Sequence, residues 1–239
     1  MLDDAEVGLI LVIAAHPDDV DFGSAGTIAR WTDAGIDVRY CIVTDGDAGG
    51  SDRSVSRPDM ARLRQREQTA AAAQVGVHDL RFLGYPDGRV EATLELRKDL
   101  ARVIRQVQPV RVVCPSPDRF YARMGASHPD HRAVGSAALD AVYPDARNPF
   151  AFPDLLDDEK LEPWTVQEVW MSASPGADHF VDITGTFERK VAALTEHASQ
   201  IGDPAELATR IREWGTRIAA VAGLPEGHLA EAFQVLSTG

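Results

Sequence analysis

Gly8 to Ala15 is an unbroken apolar run of strand length, the pattern of a strand covered on both faces. It stops at His16. Phe22, Ala25 and Ala29 then follow helical spacing, and Gly35 offers a stop. Ile36 to Val43 reads as a second strand, and Thr44 to Arg57, rich in Gly, Asp and Ser, as a long loop of the kind that covers or binds. Pro58 suits the first turn of a helix that the Ala-rich stretch carries to Val75. A short strand over Leu80–Leu83, a helix over Leu94–Val107 and a strand over Val110–Cys114 follow, the last closed by Pro115 and Pro117.

This alternation predicts an α/β, Rossmann-like fold: a mostly parallel sheet with helices on both faces. The tail predicts strands over Trp164–Met171 and His179–Ile183, a helical face at Phe187, Val191 and Leu194, and a helix over Pro204–Val221. With no repeat and no convincing boundary, residues 1–239 read as a single domain with its core at 8–142. The Pro/Asp-rich stretch 143–163 reads as an excursion, and 164–239 as a tail of strands and helices.

At 239 residues, 44% hydrophobic and 26% charged, the chain can bury a sizeable core. Its net charge of −13 argues against nucleic-acid phosphate or an anionic membrane as the main partner. No apolar run is long enough to span a bilayer, and the acidic start lacks a signal peptide's basic region. Cys41 and Cys114 lie in apolar runs and read as buried free thiols. The expectation is a cytoplasmic protein without stable membrane association, with homo-oligomer formation left open.

Two tetrapeptides carry the chemistry: His16-Pro17-Asp18-Asp19 and His128-Pro129-Asp130-His131. In open parallel sheets ligands bind at the carboxyl ends of the strands, and both blocks follow strands at that edge. Each block has a structural explanation. Asp18 or Asp19 would serve as a helix cap, and Ser127, Pro129 and Asp130 resemble a capping box. Capping leaves His128 and His131 unexplained. The functional reading is one divalent ion held by His16, Asp19 and His131 with room for water, with Zn²⁺ expected and Fe²⁺ as the alternative that accepts such a set. Asp18 would then be the general base, and His128 would stabilise an oxyanion or protonate a departing amine.

The runs AHPDDVDFGSAGTIA, TDGDAGG, RLRQRE, FLGYPDG and SHPDHRAVG resemble the PIG-L/LmbE-like zinc N-deacetylases in order over most of residues 8–140, and more weakly in the tail. Val20 and then Asp21 stand where many members have Glu directly after the two Asp, and Ala25 replaces one Gly of the usual Gly-Gly-Thr. The resemblance implies a Rossmann-like fold, zinc at the His16, Asp19 and His131 positions, Asp18 as base and His128 at the oxyanion. It also implies substrate binding by Arg64, oriented by Glu67, and by Asp87. From spacing alone, Arg64 and Glu67 read as a surface ion pair and Asp87 as a turn residue. Phe120, Tyr121 and Met124 read either as an apolar wall of the cleft or as a loop's own small core. His197 reads as structural, with a contact to a carboxylate as the alternative.

The function expected is removal of the N-acetyl group from an N-acetylglucosamine-type amino-sugar conjugate by metal-activated water. The alternatives are an amidase cleaving a larger acyl or thiol-conjugate amide on the same scaffold, and a non-catalytic, metal-organised sugar-binding module.

Overall fold

The computed structural model of the chain describes residues 1–50 and 52–239. Seven strands form one sheet in the order β3-β2-β1-β4-β5-β7-β6. These are β1 (Leu9–Ala14), β2 (Asp37–Thr44), β3 (Asp79–Tyr85), β4 (Arg111–Pro115), β5 (Glu168–Ser172), β6 (His179–Asp182) and β7 (Ala230–Ser237). The first five run parallel to one another, while β7 runs antiparallel to both β5 and β6. The mostly parallel sheet expected from the sequence is therefore present, with one reversed strand. The β7 strand was not foreseen, and β5 begins four residues later than the apolar pattern from Trp164 suggested.

The alternation inside β1 explains its unbroken hydrophobicity. Ile10, Val12 and Ala14 enter one core, packed with α1 (Asp19–Asp33), α2 (Arg57–Gln74), α6 (Phe187–Thr195) and α7 (Pro204–Val221). Leu11, Ile13 and Ala15 enter a second core on the opposite face, with α3 (Leu94–Val107) and α4 (Pro129–Asp140). A strand with helices on both sides has no solvent face to mark with polar residues. Cys41 and Cys114 are buried and free, as expected.

Chain direction away from β1 reverses here. The path leads from β1 outward to β2 and β3, then returns to the other side of β1 at β4. The crevice between the carboxyl ends of β1 and β4 is thus the topological switch point of the sheet, where such folds bind ligands. Pro115 ends β4, and α4 packs directly over the segment that follows. A Cβ on Gly135 would lie 2.3 Å from the Pro115 carbonyl oxygen, so only glycine permits this approach. The loop 44–57 is bounded by β2 and by Ser56, which caps α2 by accepting from the Asp59 N–H at 3.3 Å. Ser51, inside that loop, lies outside the described residues.

The excursion 143–163 contains the short helix α5 (Pro153–Asp157). Buried Arg105 ties it to α3 by donating to the carbonyls of Ala146, Asp145 and Asn148 at 2.9–3.1 Å. The tail is tied to α1 by Glu231 on β7. That carboxylate accepts from the Gly26 and Thr27 N–H groups at 3.1 and 2.8 Å, from the Thr27 hydroxyl at 2.5 Å and from Lys190 Nζ at 2.6 Å. Both members of the Lys190–Glu231 pair are buried. Among the described residues, no helix is long and apolar enough to cross a membrane.

Candidate metal centre

His16 follows β1 on the turn into α1, and Asp19 is the first residue of that helix. His128 is the N-cap of α4, and His131 lies in its first turn. The two blocks, more than a hundred residues apart in sequence, meet across the switch point. His16 Nδ1 lies 3.3 Å from His131 Nε2 and 3.2 Å from Asp19 Oδ2, and His131 Nε2 lies 3.0 Å from Asp19 Oδ1. Four ligands held tetrahedrally at 2.0–2.1 Å from a zinc-sized ion stand about 3.3 Å apart, so these three donors have the spacing of one coordination sphere.

The far side of each ring is occupied. His16 Nε2 meets Asp130 Oδ2 at 3.1 Å and Asp87 Oδ1 at 3.2 Å, while His131 Nδ1 meets the Ala126 carbonyl at 3.4 Å. A carboxylate or carbonyl behind a ligating imidazole fixes the tautomer that turns the other nitrogen toward an ion. The ring nitrogens of His16, His128 and His131 also fall within 4.8 Å of one another, which makes His128 a rival third donor. Asp19 fits better, because it presents one oxygen to each of the other two rings. The His128 Nδ1 is instead spent on the Asp130 N–H, 3.2 Å away. This bond also makes His128, not Ser127, the cap of α4. The Ser127 hydroxyl turns away to accept from the Phe120 N–H at 2.6 Å.

Electrostatics agree with a cation. Burial alone would keep His16 neutral, but hydrogen bonds to Asp130, Asp19 and Asp87 push its pKa up to about 12. Burial opposes charge on Asp19 as well, yet His131 and His16 hold its carboxyl well below the usual range. His131 is raised against its own burial, chiefly by Asp19. The carboxylates thus concentrate negative charge that protons or a metal ion must neutralise. His128 behaves differently: burial, then His16 and His131, lower it and favour the neutral ring.

Asp18 lies beside this cluster in left-handed backbone, φ 90°. Its N–H donates to Gln68 Oε1 at 2.7 Å, and its Oδ2 accepts from Arg64 Nη2 at 3.0 Å. Burial and the Asp19 charge push its pKa up to about 7, against the pull of Arg64, His197 and His16. A carboxylate with that affinity can take and return a proton near neutrality. Neither Asp18 nor Asp19 caps α1 with its side chain in the manner first considered: Asp18 makes no capping bond, and Asp19 accepts from the His16 N–H at 2.7 Å.

Arg64 is buried and points into this region, where it also donates to the Pro17 carbonyl and lies 3.7 Å from Asp87. Glu67 does not orient it, which corrects the expectation. Glu67 accepts instead from the Ser199 N–H and hydroxyl, at 2.8 and 2.7 Å. Phe120 lines a cavity next to the centre, whereas Tyr121 and Met124 are exposed. Three further residues went unassigned from the sequence. Asp130 supports His16 and accepts from the Gly88 N–H at 2.7 Å. Gln68 holds the Asp18 backbone and donates to Asp21 Oδ2 at 3.0 Å. Asp21 in turn pairs with buried His197 at 2.8 Å, the carboxylate contact considered for that histidine.

Comparison with known proteins defines the class. The profile of the PIG-L family, described as GlcNAc-PI de-N-acetylase, matches residues 11–142. This chain belongs to that family. It is 36% identical over 195 residues to a diacetylchitobiose deacetylase of Thermococcus kodakarensis, covering 82% of this chain and 71% of that protein. It is 31% identical over 201 residues to a probable N-acetyl-alpha-D-glucosaminyl L-malate deacetylase of Bacillus cereus, covering 80% and 83%. Among solved structures, the N,N'-diacetylchitobiose deacetylase of Pyrococcus horikoshii superposes with a TM-score of 0.89 at 30% identity, over 98% of this chain and 85% of that one.

Proposed function

We propose that this chain is a zinc-dependent hydrolase that removes the N-acetyl group from an N-acetylglucosamine-type conjugate. The observation that carries the reading is the mutual 3.0–3.3 Å spacing of donors on His16, Asp19 and His131, with the Asp18 carboxylate beside them. The relatives' activity on acetylated amino sugars supports the same chemistry.

Zinc held by His16, Asp19 and His131 would supply Lewis acidity, polarising the amide carbonyl and acidifying an attacking water. Asp18, anchored by Arg64, accepts the proton as the water oxygen bonds to the carbonyl carbon. Because its Nδ1 accepts from the Asp130 N–H, neutral His128 carries its proton on Nε2, which donates to the developing oxyanion. Asp18 then gives the proton to nitrogen as the C–N bond breaks, and acetate and a free amine leave. Arg64 and Asp87 bind sugar hydroxyls on the side of Asp18.

One sheet containing strands from Leu9 to Ser237 supports a single domain, and two buried free thiols suit a reducing, cytoplasmic compartment. Metal analysis of the purified protein, with acetate release from N-acetylglucosamine and diacetylchitobiose, tests the reading. Asp18→Asn should retain zinc and lose at least about a hundredfold in turnover. Normal turnover by that variant would remove Asp18 from the mechanism, and a wild type that binds no metal would sink the proposal.

A further inference from the structure

A cavity of about 620 Å³ opens directly onto the centre, and its walls include Asp18, Asp19 and His131. Away from these residues its walls include Arg123 but are mostly apolar, led by Phe22, Phe120, Phe180, Trp214 and Ile218, all half-buried. A second cavity of about 640 Å³ shares those five walls and Arg123, adds Arg210 and Arg217, and contains none of the three centre residues. The two together describe a passage that starts at the reacting centre and runs outward over α7.

Most polar groups of the inner cavity are already engaged, and the Arg123 guanidinium lies over the Trp214 ring, 3.7 Å from its centroid. Lys190 and Glu231 pair with each other, the Ser174 hydroxyl donates to Gln234 at 2.6 Å, and that of Ser172 faces the Cys114 carbonyl at 3.5 Å. A sugar placed there would find few free partners for its hydroxyls and would lose hydration without compensation. The polar atoms that lack partners lie elsewhere: Arg64 Nε and Asp45 Oδ1 are buried and unpaired, and neither residue lines the cavity. An amide bound at the centre has two substituents, the amino sugar on nitrogen and the acyl group on carbon. The polar side suits the first and the apolar passage the second.

We propose that this passage is an acyl-chain subsite, so that the enzyme accepts N-acyl amino sugars with linear apolar chains longer than acetyl. The inference rests on the amide-hydrolase reading above and extends it to a substrate class. An acetyl group reaches only the inner mouth, whereas a chain of six to eight carbons would run along Phe22, Phe180 and Trp214. Each methylene removed from water against such walls favours binding by about fourfold.

The test is a series of N-acylglucosamines from acetyl to octanoyl with the zinc-loaded enzyme, scored by released glucosamine. The expected result is a kcat/KM that rises about fourfold per methylene as far as hexanoyl. Ala232→Phe, which fills the passage, should lower the hexanoyl-to-acetyl ratio at least about tenfold. Turnover of acetyl alone would overturn the subsite while leaving the hydrolase reading intact. Failure on every chain would overturn the hydrolase reading. In that case octanoate, titrated while tryptophan emission is followed, decides the cavity separately. A saturable change that is lost in Trp214→Phe upholds the apolar-chain site, and no saturable change overturns it.

Discussion

Gln68 accepts the Asp18 N–H at 2.7 Å and so holds in left-handed backbone a residue that has a Cβ to accommodate. That conformation costs a non-glycine residue about 1–2 kcal/mol, and asparagine and aspartate tolerate it best. Gln68 is itself fully buried and is steadied by Asp21, which is in turn paired with His197. Three side chains behind the centre therefore hold the Asp18 backbone, while Arg64 holds its carboxylate.

Gln68→Ala should leave the Asp18 N–H buried without an acceptor, at a cost of about 1–3 kcal/mol. Turnover should fall by one to two orders of magnitude while bound zinc is unchanged, because no proposed ligand touches Gln68. Equal kcat in the variant and the wild type would show that Asp18 keeps its place without this support.

Asp130 supports His16 from behind without being a proposed ligand. Removing such a partner typically weakens metal affinity by about 10–100-fold. Asp130→Ala should show that loss in a chelator competition, and unchanged affinity would mean that Asp87 alone orients the ring.

Complete removal of metal by chelation should abolish acetate release, and added Zn²⁺ should restore it. Circular dichroism should show the fold retained in the apo protein, because both cores lie away from the centre on the two faces of the sheet. Turnover that survives verified metal removal would contradict the proposed mechanism.

Glu67 is tied to Ser199 by two hydrogen bonds and so fastens the segment after α6 to α2. Hydrogen bonds to a carboxylate are worth about 1.5–3 kcal/mol. Glu67→Ala should speed amide exchange at Ser199 and its neighbours, with a smaller change in α3 on the opposite face. Uniform exchange across the chain would argue that the contact has no local role.

Gly135→Ala places a methyl against the Pro115 carbonyl, and overpacking of this kind costs about 1–3 kcal/mol or more. Urea unfolding should report the loss, with a lower midpoint and an unchanged slope. A stable variant would mean that the Pro115–Pro117 segment yields more readily than its backbone contacts suggest.

Much of this was legible in the chain because parallel strands and metal ligands leave local marks. The apolar run into His16 and the doubled His-Pro-Asp blocks place both halves of the centre at one edge before any coordinates. Arg64 and Asp87 also lie beside the centre, in contact with Asp18 and His16. What escaped the sequence depends on distant partners. Gln68 sits in an Ala-rich helix and has no signature of its own, so only the neighbouring Asp18 N–H gives it meaning. Glu67 is three residues from Arg64 and invites a local pairing, but the favourable partner is Ser199, 132 positions away. Asp130 looked like half of a cap, although its place between two histidines was a usable clue. Strand β7 mixes Glu and Gln with apolar residues and follows a turn without a hairpin signal, so its pairing with β5 leaves little local trace.

Glu231, on that last strand, gives the C-terminal end of the sequence a mechanical share in the chemistry. Deleting from Ala230 onward would strand the Lys190 ammonium inside the protein without its counter-charge, against the same helix that presents Asp19. Shortened versions of this protein should consequently fail by unfolding around the helix that carries Asp19, even though every proposed ligand is still encoded.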